Sequence, residues 1–68
     1  MIEFKLEGEF IPLIALLKAT GSVQSGGEAQ TVVEDGLVKY NGKVDHRKRL
    51  KVRVGDVIDF MGQKIKVV

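Results

Sequence analysis

The sequence predicts an α+β fold, with two short helices packed on a small, mostly antiparallel sheet. Three observations predict it. Two apolar-periodic segments each close on a glycine, Gly21 and Gly36. An Asn41-Gly42 pair lies between runs of strand-forming residues. Period-two alternation of apolar and polar side chains, the pattern of a half-buried strand, runs through residues 2–7 and again through 49–54.

The elements follow in order. Ile2, Phe4 and Leu6 alternate with Glu3, Lys5 and Glu7, a short strand ended by Gly8. Pro12 suits a first helical turn, where its missing N–H would be unpaired in any case. Leu13, Ile14, Leu16 and Leu17 give that helix an apolar face and Gly21 stops it, predicting a helix over about residues 12–20. Ser25-Gly26-Gly27-Glu28 has the form of a capping box. Ser25 would accept from the Glu28 amide, and Glu28 would reach back to the Ser25 amide. Ala29, Val32 and Val33 then recur at helical spacing up to Gly36, predicting a second helix over about 26–35.

Gly26 and Gly27 are poor helix formers. They permit either close packing against a neighbour or backbone access for a phosphate at the helix N-terminus. No Lys-Ser/Thr follows them, so they do not form a phosphate loop of the nucleotide-binding kind.

Asn41-Gly42 is the preferred pair for a two-residue type I′ turn, with Val38 and Tyr40 on one side of the sheet and Lys39 on the other. Residues 54–60 and 62–68 read as two further strands around a turn near Met61, Gly62 and Gln63. Leu13, Leu17, Val33, Val38 and Val52 are the expected core, with Phe4, Phe10 and Phe60 beside them.

A length of 68 residues accommodates one domain, 1–68, and 44% hydrophobic content is that of a globular chain rather than a disordered one. The absence of cysteine excludes disulfides, thiolate metal sites and cysteine nucleophiles. Glu3, Lys5, Glu7, Glu9 and Lys18 interrupt any apolar run long enough for a signal peptide or membrane span, so a cytoplasmic protein is expected.

The net charge of +2 is unevenly divided. Residues 1–38 carry two basic side chains against six acidic ones, and residues 39–68 carry nine against three. Five of the eleven Lys and Arg fall in the nine residues Asp45–Arg53, together with His46, the sole histidine. In the last part of that stretch Arg49, Lys51 and Arg53 alternate with Leu50, Val52 and Val54, which puts basic side chains on one face and apolar ones on the other. Such a face either meets an anionic partner or protects a solvated strand edge.

The helix closing on Gly21, the run SGGEAQTVVEDGLVKYNGKV and the segment RVGDVI resemble the ribosomal protein S-four type RNA-binding domain, whose core is the alpha-L motif. The short length, the SGGEA stretch and the basic HRKRLKVR resemble its small stand-alone bacterial branch, the YbcJ-like proteins. The resemblance covers about residues 10–60. It implies a surface of second helix and hairpin that grips structured RNA, commonly ribosomal or transfer RNA. By position it assigns Ser25 and Gln30 to the helix side and Lys39 and Lys43 to the hairpin. Where many members carry Arg after the helix-opening Ser this chain has Gly26, and Gln30 stands where a basic residue is common. The charge lies instead in residues 46–53, so Arg47, Lys48, Arg49, Lys51 and Arg53 complete the expected site.

Catalysis finds little material. His46 sits inside a cationic cluster and is expected to be a surface or turn residue. The acidic residues form no recognisable acid/base pair, and one histidine without cysteine is poor material for a metal site. The expectation is a binder with no cofactor, no metal and no membrane role. With the three phenylalanines assigned to the core and Tyr40 left alone, the expected target is folded RNA read by shape and backbone rather than a single strand held by stacking. A protein partner on the ribosome fits the same reading. The other reading is an interaction module whose basic strand binds an acidic protein.

Overall fold

Both helices end on the glycines that close their apolar patterns. In the computed structural model, which describes residues 1–68, α1 spans Leu13–Ala19 and α2 spans Gly26–Glu34. Gly21 (φ 74°) and Gly36 (φ 75°) take the left-handed conformation just past each helix. The amides of Gly21 and Ser22 return to the carbonyls of Lys18 and Leu17, both at 3.0 Å. Those of Gly36 and Leu37 return to Val33 and Val32 at 3.2 and 3.0 Å. These paired bonds satisfy carbonyls that a helix end otherwise leaves open.

The helix starts differ in detail from expectation. Pro12 occupies the N-cap of α1 in an extended conformation (φ −61°, ψ 143°), so the helix opens one residue later than predicted. At α2 the Ser25 hydroxyl accepts from the Glu28 amide at 3.1 Å, as the capping box requires. The return bond is displaced, because Glu28 Oε1 accepts from the Gln24 amide at 2.7 Å rather than from Ser25.

Seven short strands complete the chain: β1 Ile2–Phe4, β2 Ile11–Pro12, β3 Val38–Tyr40, β4 Lys43–Val44, β5 Lys51–Val52, β6 Val57–Phe60 and β7 Gln63–Val67. Five form a sheet in the order β1-β7-β6-β3-β4, antiparallel except for the parallel β1–β7 pair. β2 and β5 form a separate antiparallel pair, Ile11 opposite Val52 and Pro12 opposite Lys51. Two hairpins turn on two residues each. Asn41 (φ 50°) and Gly42 (φ 91°) join β3 to β4, and Met61 (φ 52°) and Gly62 (φ 78°) join β6 to β7. Positive φ at both central positions is the type I′ signature, so the second turn is tighter than the three-residue one expected.

The helices cover one face of the sheet. Leu13, Leu16 and Leu17 of α1 and Ala29 and Val33 of α2 are buried against Val38, Val52, Ile58, Phe60, Ile65 and Val67. All five expected core residues are fully buried. Burying an aliphatic side chain stabilises by roughly 1.5–3 kcal/mol, and this single cluster is the main store of stability. Phe10 departs from expectation, lying 38% exposed outside the core. Val54 departs as well, 62% exposed in the turn before Gly55 (φ 96°), so the alternation of the basic stretch ends at Arg53. No helix is long and apolar enough to cross a membrane.

Candidate nucleic-acid interface

The expected strand over residues 49–54 is reduced to β5. The flanking residues leave the ladder because the chain must bend at both ends, into the turn at Lys48–Arg49 and into the turn at Val54–Gly55. The face assignment survives through Arg53. Val52 is fully buried and Leu50 packs on the core, while Arg49, Lys51 and Arg53 are exposed.

Two of the five basic residues are engaged within the chain. Arg47 makes a forked contact with Asp45, its Nη2 2.7 Å from Oδ2 and its Nε 3.0 Å from Oδ1. The guanidinium hydrogen bond holds the Asp45 carboxyl below its usual pKa, against the opposing pull of burial, and the same pair raises the pKa of Arg47. Lys48 Nζ lies 3.2 Å from Glu34 Oε2 on the last turn of α2. His46 is exposed at the same helix end, its Nδ1 3.2 Å from the Glu34 carbonyl oxygen, the surface role expected of it. These contacts moor the first half of the basic stretch to α2 and partly neutralise it. Arg49, Lys51 and Arg53 form no ion pair.

The β2–β5 pairing carries Lys51 beside Pro12 and so lays the basic stretch along α1. An open groove of about 840 Å³ results. Its lining is mostly apolar, with Phe10, Ile14, Ala15 and Ala19, and is completed by the cationic Lys18, Lys48, Arg49 and Lys51. Gly26, the first residue of α2, lines one end. Lys51 Nζ stands 4.9 Å from the centre of the Phe10 ring. A second, smaller depression adjoins the groove, lined by Arg47, Arg49, Leu50, Lys51 and Arg53. Arg49 and Lys51 belong to both, so the cations form one continuous surface.

The helix and hairpin candidates divide. Ser25 is occupied as the cap of α2. Gln30 is exposed one turn beyond Gly26 on the same helix face. Lys43 pairs with Tyr40 across the hairpin and shares its side of the sheet. Lys39 alternates with buried Val38 and so projects from the opposite, helix-free face, opposite Asp59. Lys39 therefore stands apart from the groove.

Lys18, Phe10 and Gly26 as groove residues went unrecognised in the sequence. Lys18 lies some thirty residues from the basic stretch, and only the two-residue β2–β5 ladder joins them. Proline in β2 conceals that ladder, since Pro12 reads more readily as a helix start. No group of three or more His, Cys, Asp or Glu is placed to hold a metal ion.

Comparison with known proteins agrees with this architecture. The S4 domain family matches residues 4–68. YbcJ of Escherichia coli (strain K12) is 38% identical over 58 residues, 85% of this chain and 83% of that protein. The Bacillus subtilis (strain 168) protein named "Probable ribosome maturation protein RlbA" is 35% identical over 57 residues, 84% of this chain and 80% of its own. The solution structure of YbcJ from E. coli, described as revealing an alfaL motif involved in RNA-binding, superposes with a TM-score of 0.77 at 36% identity, covering 100% of this chain and 87% of that one. The expected α+β fold with its alpha-L motif is thus borne out, and the chain belongs to the S4 domain family.

Proposed function

We propose that this chain is a single RNA-binding domain that grips structured RNA, of the ribosomal or transfer-RNA class, through the basic face shared by residues 47–53 and Lys18. One observation carries the reading. Lys18, Arg49 and Lys51 come from two distant segments, have no acidic partner, and converge on one groove beside the start of α2. Cations gathered in this way are costly through mutual repulsion unless an anion meets them. The likeness to YbcJ, whose motif is described as involved in RNA-binding, favours RNA as that anion, and the name of the B. subtilis relative favours the ribosome as its setting. The reading is of a binder working in the cytoplasm, not an enzyme.

Contact would be made mainly to phosphates. Arg49, Lys51 and Arg53 supply the unpaired charge, Lys18 and Lys43 extend the surface on either side, and Arg47 and Lys48 contribute after partial release from Asp45 and Glu34. Ser25 and Gln30 would border the contact along α2. Lys39, on the other side of the sheet, falls outside it.

Titration of a fluorescently labelled RNA hairpin at a series of salt concentrations tests this reading. Three to five phosphate contacts give a log–log slope of roughly −2 to −4.5, each contact contributing about −0.7 to −0.9. A flat salt response would sink the RNA reading and promote the acidic-protein partner in its place.

A further inference from the structure

We infer that the groove takes one unpaired base of the RNA, stacked on Phe10, with the adjoining phosphates on Lys18, Arg49 and Lys51; this rests on the RNA-binding reading above. A site for phosphates alone needs cations and hydrogen-bond donors. This groove sets its cations beside a mostly apolar lining that includes Phe10, Ile14, Ala15 and Ala19. An apolar lining offers a phosphate nothing and would strip it of water without compensation. A flat aromatic solute is what such a lining fits.

Phe10 is the second part of the argument. The core of this small domain leaves it 38% exposed, at a cost in buried apolar area. Lys51 Nζ lies 4.9 Å from its ring centre, within the range of a cation–π contact. That contact sets an ammonium over one face of the ring. A base stacking on that face displaces the ammonium, and the freed cation then meets the phosphate of the same nucleotide.

Size and access agree. A volume of about 840 Å³ falls within the roughly 300–1,000 Å³ of small-ligand sites, ample for one nucleotide. Paired bases in an RNA duplex are stacked away from protein side chains, so only a bulged or looped-out base reaches the apolar lining. Gly26 leaves the α2 end of the groove open, and a Cβ built there meets no atom within 4 Å. A side chain added at Gly26 therefore starts in open space at the edge of the groove.

The test uses three labelled RNA hairpins, each closed by a non-nucleotide linker in place of a loop: one fully paired, one with a single unpaired adenosine, and one with an abasic nucleotide in place of that adenosine. The whole chain is titrated against each by fluorescence anisotropy. The adenosine hairpin is expected to bind about 5- to 150-fold more tightly than the abasic one, the range for stacking one base on an aromatic side chain. Phe10→Leu and Gly26→Leu should each bring that ratio towards one, with thermal melting followed in parallel. Equal affinity of the unaltered protein for the adenosine and abasic hairpins overturns the base site while leaving RNA binding intact, and it requires no variant to fold. A preference for adenosine that survives Phe10→Leu overturns Phe10 as its seat. Failure to bind any of the three RNAs overturns the functional reading itself, and the base site with it.

Discussion

Tyr40 donates its hydroxyl proton to Asp56 Oδ2 at 3.0 Å, tying β3 to the turn that leads into β6. The same oxygen accepts the Arg53 amide at 2.8 Å, and Oδ1 accepts from Asn41 Nδ2 at 3.2 Å. Asn41 Oδ1 in turn accepts the Val57 amide at 2.8 Å. One carboxylate therefore fixes both the tip of the first hairpin and the end of the basic stretch. Burial by itself would raise the pKa of Asp56, but the Arg53 amide, Asn41 and Tyr40 together outweigh it and leave the carboxyl below its usual value.

This arrangement predicts the pH dependence of stability. Asp56 and Asp45 both have depressed pKa values in the folded chain, so the unfolded chain binds more protons in acid. Their stabilisation is complete above the ordinary aspartate value of about 3.9 and drains as pH falls through the depressed native values. Tyr40 acts at the other end. Burial first, and then the bond to Asp56, raises its pKa, so its contribution is present below about pH 10 and is lost as pH rises through the native value. Asp56→Ala should cost roughly 1.5–3 kcal/mol near neutrality, the usual range for hydrogen bonds to a charged group. It should also flatten the acid limb. Urea unfolding from pH 2 to 11 measures both, and an unchanged acid limb in Asp56→Ala would remove the carboxylate from this role.

Ser25→Ala should lower stability by about 1 kcal/mol, because the hydroxyl is the cap that satisfies the Glu28 amide. The loss should appear without RNA. If melting were unaffected while RNA binding weakened, the hydroxyl would belong to the ligand site rather than to the helix.

Met61 holds φ 52° with its side chain 80% exposed, so it bears left-handed strain with no packing to offset it. That conformation costs an ordinary residue about 1–2 kcal/mol, and asparagine tolerates it better. Met61→Asn recreates in the second hairpin the Asn-Gly pair of the first and should stabilise by up to about 1 kcal/mol. A lowered melting temperature would show that Met61 makes a contribution beyond the turn.

What could be read from the sequence was local. Gly21 and Gly36 as helix stops, Asn41-Gly42 as a turn and Ser25 as a cap each depend on a few adjacent residues with distinctive backbone chemistry, and all four stand as expected. The burial of Val52 between exposed Lys51 and Arg53 was legible for the same reason. The groove was not, because it depends on a two-residue ladder between segments some forty residues apart, one of which contains a proline. Phe10 was misassigned because hydrophobicity alone favours burial. Nothing near it in sequence reveals that Ile11 takes the core-facing place at the start of β2 while the Phe10 ring is left exposed under Lys51. The pairing of Arg47 with Asp45 lies two residues apart and could have been suspected, but Lys48 meeting Glu34 required the fold.

That unequal pairing yields the sharpest prediction about the basic stretch. Arg47 and Lys48 must leave Asp45 and Glu34 before they can bind a phosphate fully, whereas Arg49 and Lys51 have no such partner. Replacing Arg49 and Lys51 together by Ala should remove about two phosphate contacts and make the salt slope shallower by roughly 1.4 to 1.8. Replacing Arg47 and Lys48 together should change it by less than one contact's worth. That second pair should instead lower stability modestly, since the loop loses both its forked bond and its tie to α2, and solvent screens exposed pairs of this kind. Val52→Ala serves as the reverse control, because its fully buried side chain supports the core under the same surface and its loss should depress melting. Salt titrations of one labelled hairpin RNA with each variant, paired with thermal melts, separate charge from fold. Equal slopes for the two double variants would show that the internal ion pairs do not govern which cations meet RNA, and the ranking within the stretch would fall.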